Sequence, residues 1–241
     1  MFVDPLQARL LFQIALKQRF ALLAVNADSP AAITDVLEAA RECRAPVIIE
    51  ASLWQLRGRS FGAGDATLGM TRYLVELAAL AGSHRYRDIP VLFHTDHIKG
   101  PETLPLLKAA IGGLETGIGG FRLSPSTVSL DSSELTPEQN IGSISELCRQ
   151  SLSCGRPVTL EMEAGVDDGV TSDAVARNLL TPVERQFPGF VHLWAPGVGT
   201  RHGLGDQDTF SPTAVARHHR LASEIAGRPV GIALHGSSGL S

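Results

Sequence analysis

The chain has 241 residues, 21 Lys+Arg against 25 Asp+Glu for a formal net charge of −4, and a 44% hydrophobic composition. That length suits a single barrel-sized α/β domain, and the apolar content supports a large core and excludes a disordered chain. With no long basic run, neither a nucleic-acid groove nor a polybasic membrane patch is expected. No apolar run approaches the roughly 18 residues of a membrane span, and the start MFVDPLQARLL lacks a basic segment before an apolar signal core, so a soluble cytoplasmic protein is expected. Cys43, Cys148 and Cys154 are an odd, widely spaced set that suggests neither a disulfide framework nor a cysteine zinc knuckle.

Asp4-Pro5 is a helix-start signal, and the apolar residues after it recur three and four apart, which predicts a first helix over 4–19. A short apolar run at Ala21–Val25 reads as a strand, followed by a helix over Pro30–Cys43 with Leu37, Ala40 and Cys43 among its inward positions. The alternation continues with strand Val47–Ala51, a helix around Thr67–Ala81, strand Pro90–His94, helix Glu102–Ile111 and a strand-like stretch within Gly119–Leu130. Helix Pro137–Leu152, strand Val158–Met162, helix Asp173–Phe187, strand Phe190–Trp194, helix Pro212–Ala226 and strand Val230–Leu234 complete the order. The strands are short and continuously apolar, as strands covered on both faces are.

Serial β-α units of this kind form an eight-stranded barrel or a doubly wound sheet. Val25 is followed by NADSPAA, without the GxGxxG turn of a dinucleotide-binding unit, which favours the barrel. The expected fold is therefore an α/β barrel of the TIM (β/α)8 type in one domain over 1–241, with seven readable strands and the eighth missing at the C-terminus.

In such a barrel the reactive side chains come from the C-terminal ends of the strands. Asn26, Ser52, His94, Asp96, His97, Asp131, Glu161, Glu163, His202 and His235 all fall there in the predicted order. His97, His202 and His235 with Glu163 make a chemically sensible zinc shell, neutral imidazoles and a carboxylate that leave a position for substrate. The alternative is that the histidines are scattered polar or capping residues. In HTDH at 94–97, Asp96 and His97 can place an acid/base group beside a ligand, while His94 supports the ligands or packs inside. Gly203, Gly236 and Gly239, with Ser237 or Ser238, offer amides and hydroxyls to a phosphate, or are plain turns. VDDGV at 166–170 can bring Asp167 or Asp168 to the site as a proton acceptor. RGRSFG at 57–62 reads as flexible and basic, and Trp54 and Trp194 as packing residues.

Taken together these motifs resemble the class II, zinc-dependent fructose-bisphosphate aldolase family and its ketose-bisphosphate relatives. The resemblance runs through AVNADSPAAITDVLEAARECRAPVIIEAS at 24–52, HTDH at 94–97, SLDSSELTPEQNI at 129–141, LEMEAGVDDGV at 160–170, GTRHG at 199–203 and LHGSSG at 234–239. It implies an aldehyde-lyase of carbohydrate metabolism with Zn2+ as cofactor and Asp96 as the acid/base at the hydroxyl carbon whose C–C bond breaks. It also implies His97, His202 and His235 as metal ligands, with Glu163 as an exchangeable ligand or nearby carboxylate, and Asp167 as the proton-transfer carboxylate of a mobile loop. Asn26, Ser52, Gly203, Gly236 and Ser238 are implied at the substrate and its phosphate. The implied partners are a phosphorylated sugar and further copies of the chain in a homodimer or larger oligomer. Against the family pattern the acidic loop is short, Ser237 stands where HGGSG has a glycine, and the final strand with its N-x-D-T-D motif is missing, so two strand edges are expected to need cover. The competing readings are a non-catalytic barrel serving as an interaction subunit and, with less support, a zinc hydrolase.

Overall fold

A computed structural model describes residues 1–100, 102–117, 119–164, 169–201 and 209–239. Its contacts divide the chain into two compact units, residues 1–129 with 150–159 and residues 130–149 with 160–241.

The first unit opens with helix α1 (Pro5–Gln18), whose Asp4 accepts from the Leu6 and Gln7 amides at 2.8 Å while Gln7 accepts from the Asp4 amide at 3.0 Å. This reciprocal cap satisfies donors that the first helical turn leaves unpaired. Strand β1 (Leu23–Asn26), helix α2 (Pro30–Cys43), strand β2 (Val47–Ala51), helix α3 (Leu53–Arg57), helix α4 (Ala66–Gly82), strand β3 (Val91–Thr95) and helix α5 (Thr103–Gly112) follow. Strands β4 (Leu114–Glu115) and β5 (Arg122–Leu123) form an antiparallel pair, and β6 (Thr127–Val128) pairs with β3. The order β1-β2-β3-β6 is parallel throughout, with Asn26, Glu50, His94 and Thr127 in one register row. Ile48, Ile49, Leu92 and Phe93 are buried, as expected for strands packed on both faces.

The helices cover this sheet through their periodic apolar stripes. In α4, Met70, Tyr73, Leu74, Leu77 and Ala81 are all fully buried, a spacing of three and four that faces one side of the helix. Each such large side chain contributes about 1.5–3 kcal/mol on burial.

The second unit holds the first part of helix α6 (Pro137–Cys154), then β7 (Leu160–Glu163), α7 (Asp173–Gln186), β8 (Val191–Ala195), α8 (Pro212–Ala226), β9 (Gly231–Ile232) and a short 3₁₀ turn at Ser237–Gly239. Strands β7, β8 and β9 are parallel neighbours. Ser172 and Ser211 cap α7 and α8 by accepting from Val175 and Ala214, and Gly227 ends α8 in the left-handed conformation at φ 65°.

The predicted alternation is present, with each expected helix within about two residues of its predicted bounds. Beyond the unpredicted helix α3 and the antiparallel pair of β4 and β5, two readings differ. The 57–62 segment is not a flexible basic loop, because Phe61 is buried and stacks on Tyr73 at 3.7 Å between ring centroids. Trp54 is 67% exposed instead of packed, because α3 turns Gln55 and Leu56 inward and leaves Trp54 on its outer side. Among the described residues no helix is long and apolar enough to cross a membrane.

Candidate active site

Three strand ends of the first unit carry polar side chains. At the end of β1, the Asn26 Nδ2 donates to Glu50 Oε1 at 2.9 Å and to Asp96 Oδ2 at 3.0 Å. Asp96 follows β3, is buried, and anchors its own backbone by donating to the Ala51 carbonyl at 3.0 Å. His97 has φ 68°, a left-handed backbone uncommon for a residue with a side chain. That turn breaks the strand's alternation, so two consecutive side chains meet instead of diverging, and His97 Nε2 lies 3.5 Å from Asp96 Oδ1. His94 is buried with Nδ1 2.7 Å from Thr127 Oγ1, a supporting place.

Ser52 is the residue before α3, where Gln55 Oε1 accepts from the Ser52 amide at 2.8 Å and from its hydroxyl at 3.1 Å. The sequence signal for this missed helix is S-x-x-Q at 52–55, a capping-box pattern.

In the second unit Glu161 and Glu163 sit two apart on β7 and therefore share a face, 2% and 1% exposed. His235 follows β9, and its Nε2 lies 2.8 Å from Glu161 Oε1. Donor atoms of Glu161, Glu163 and His235 all lie within 4.8 Å of one another. Two buried carboxylates this close repel unless a cation or protons neutralise them, and this donor set of two oxygens and an imidazole fits a divalent ion such as zinc. Glu161 stood among the strand-end residues but outside the expected ligand set. Its signal is the period-two E-M-E of β7.

The β7 end is itself held in place, because Ser132 Oγ and Asn140 Nδ2 donate to the Glu163 carbonyl at 3.0 and 2.8 Å. Asp131, buried, accepts from the Ser133 amide at 2.9 Å and shapes the turn that brings Ser132 there. Gly236 has φ 63°, and a Cβ built on it would stand 2.7 Å from the Arg201 carbonyl carbon and 2.8 Å from its oxygen. Close backbone approach thus requires glycine at this position. Gly236→Ala is expected to lower unfolding free energy by about 2–3 kcal/mol through strained φ and overpacking. Urea unfolding checks this, and a loss under about 0.5 kcal/mol contradicts it. Ser238 lies in the exposed 3₁₀ turn. Asp167, His202 and Gly203 lie outside the described residues.

Comparison with known proteins agrees with this chemistry. The family described as class-II fructose-bisphosphate aldolase matches residues 7–241. The chain is 31% identical over 265 residues to a fructose-bisphosphate aldolase of Neurospora crassa, covering 96% of this chain and 70% of that one. It is 29% identical over 258 residues to fructose-bisphosphate aldolase 1 of Paracoccidioides lutzii, covering 95% and 69%. The crystal structure of a fructose-bisphosphate aldolase from Campylobacter jejuni superposes with a TM-score of 0.78 at 22% identity, over 100% of this chain and 71% of that one. That likeness shows the expected TIM-type α/β fold, and the seven parallel strands are those expected. On the family match and its curated relatives, the chain belongs to the class II fructose-bisphosphate aldolase family and is an enzyme of the lyase class.

Proposed function

We propose that the chain is a single-domain, zinc-dependent aldolase that cleaves or forms a C–C bond in a phosphorylated ketose, taken to be fructose 1,6-bisphosphate, which yields dihydroxyacetone phosphate and glyceraldehyde 3-phosphate. The observation that carries this reading is the buried pair Glu161 and Glu163 with His235 in reach of one ion, a donor set that a metal-independent lyase does not need. His97, His202, His235 and Glu163 are the proposed zinc ligands, and Glu161, whose Oε1 lies 2.8 Å from His235 Nε2, is the proposed partner that orients that imidazole beside the ion. Bound there, zinc supplies Lewis-acid stabilisation of negative charge developing on the ketone oxygen.

The chain's own residues handle the protons. In cleavage, Asp96 takes the proton of the hydroxyl on the carbon whose C–C bond breaks, and in condensation it returns it. Asn26 holds Asp96 Oδ2 by its hydrogen bond at 3.0 Å, so the carboxylate is oriented before substrate arrives. The electron pair of the broken bond stays on the ketone half, and Asp167 is the proposed donor of the proton that quenches it. Ser52, Gly203, Gly236 and Ser238, with Asn26, are the proposed contacts to the substrate and its phosphate. Cytoplasmic action in carbohydrate metabolism and a homodimeric or larger assembly belong to the same proposal.

The test is a coupled assay of fructose 1,6-bisphosphate cleavage by the purified chain, chelated and then reloaded with zinc, with His97→Ala alongside. Turnover that falls on chelation, returns with zinc and is missing from His97→Ala is expected. A folded, zinc-loaded protein without turnover overturns the fructose-bisphosphate assignment.

A further inference from the structure

Asn26, Glu50 and His94 lie side by side in register on β1, β2 and β3, so their side chains leave the same face of the sheet, and Asp96 stands two residues beyond His94. Within this row one nitrogen, Asn26 Nδ2, is 2.9 Å from Glu50 Oε1 and 3.0 Å from Asp96 Oδ2. A carboxamide nitrogen carries two hydrogens, and ionised carboxylates only accept, so the two bonds use both hydrogens. Turning the amide over would bring its carbonyl oxygen against two carboxylate oxygens, an arrangement with repulsion in place of two charge-assisted bonds. The amide is thereby held one way round, with Oδ1 turned from both carboxylates and presented as an acceptor.

We propose that Glu50 is a positioning residue for the reaction: its carboxylate takes one hydrogen of Asn26, which aims the other at Asp96 and leaves Oδ1 to accept from a substrate hydroxyl. This rests on the reading of Asp96 as the acid/base and of Asn26 as a substrate contact. Glu50 acts through Asn26 and touches no reacting atom. With an apolar residue at 50, one Asn26 hydrogen has no acceptor on β2, the side chain samples other rotamers, and the bond to Asp96 is made for a smaller fraction of the time. Glutamine at 50 keeps an acceptor oxygen at the same reach and retains the arrangement.

The experiment has two readouts on the full, zinc-reloaded chain. In 15N-labelled protein, the Asn26 side-chain amide pair, assigned by its loss in Asn26→Ala, is followed by hydrogen exchange with solvent. Glu50→Leu is expected to speed exchange of that pair about tenfold, the factor for losing one bond to a charged group, while Glu50→Gln leaves it within about twofold. In the coupled assay, Glu50→Leu is expected to lower kcat about tenfold with KM within about threefold, and to add less than about twofold in the Asn26→Ala background. Glu50→Gln is expected to recover most of the loss. A merely structural role would change amides across the whole spectrum and lower the melting temperature of both variants. Unchanged Asn26 exchange in Glu50→Leu overturns the proposal, as does a Glu50→Leu effect that multiplies with that of Asn26→Ala. If the wild-type chain cleaves no phosphorylated ketose, the proposed function falls, and the exchange data still decide whether Glu50 holds Asn26.

Discussion

Asp96→Asn is expected to lower kcat for ketose-bisphosphate cleavage by about 10³-fold, within the range of 10²–10⁴ that a positioned general acid or base contributes. The substitution is nearly isosteric and keeps an oxygen acceptor for the Asn26 Nδ2 that now lies 3.0 Å from Oδ2. What it removes is the proposed acceptor of the substrate hydroxyl proton. Because that transfer belongs to the transition state, kcat and kcat/KM are expected to fall together while KM moves by less than about threefold. Zinc content after dialysis and the melting temperature are the controls, since Asp96 is also buried beside His97 and a lost metal would mimic a lost base. Turnover within about threefold of wild type in the folded, zinc-loaded variant would remove Asp96 from the mechanism and direct attention to another carboxylate.

The largest stability effect is expected at Arg228. Its Nη2 donates to Glu184 Oε1 at 2.7 Å and to the Val191 carbonyl at 2.6 Å, and Glu184 Oε2 accepts from the Gly189 amide at 3.2 Å. One arginine following α8 therefore ties the end of α7 to the start of β8. The Glu184 side chain is 6% exposed and that of Arg228 25%. Burial, opposed by Arg228, holds the Glu184 carboxyl above its ordinary value of 4.5. Removing the arginine strands a buried charge, and Arg228→Met is expected to cost about 3–5 kcal/mol at neutral pH, the lower end being favoured by the partial exposure of the arginine.

The pH dependence of that loss has a definite sign. A carboxyl raised in the fold binds its proton more tightly there than in the unfolded chain, so its ionisation works against the fold as pH rises from 4.5 through the folded value. Without Arg228 the folded value rises further. The Arg228→Met deficit is therefore smallest well below 4.5, where Glu184 is protonated in both states, and grows toward neutrality. Urea unfolding at about pH 5 and about pH 8 measures it, with a larger deficit at the higher value expected. Two further nitrogens of Arg228, Nε and Nη1, are buried without a hydrogen-bond partner among the described residues. The ion pair is thus incompletely satisfied, and Arg228→Met combined with Glu184→Met is expected to recover most of the loss. A double variant as unstable as Arg228→Met alone would place the deficit in packing.

Both sites bear on what sequence reasoning can reach. Helices α1, α2, α7 and α8 were legible because their caps and apolar stripes are local: Asp4-Pro5, Ser29-Pro30 and Ser211-Pro212 act within one turn. The residue types of the site were legible for a related reason. Serial parallel strands all end on the same side of their sheet, so Asn26, Asp96 and His97 could be grouped from their positions after apolar runs. Glu50 was passed over as part of such a run, though it belongs to the same row. The short helix α3 was missed because five residues carry too few turns to show a period, although its S-x-x-Q start was there to read.

The order of strands and helices, the acid-and-imidazole character of the strand ends and the family itself were determined by the sequence alone, since apolar periodicity, capping chemistry and motif order are properties of neighbours along the chain. Only the tertiary structure decided which carboxylate each amide and imidazole meets. That Asn26 bridges Glu50 and Asp96, that His235 meets Glu161, and that Arg228 holds Glu184 depend on strand register and side-chain rotamers over separations of 24 to 74 residues. A shift of register by one residue would turn each partner to the other face, and nothing in the local sequence records that choice.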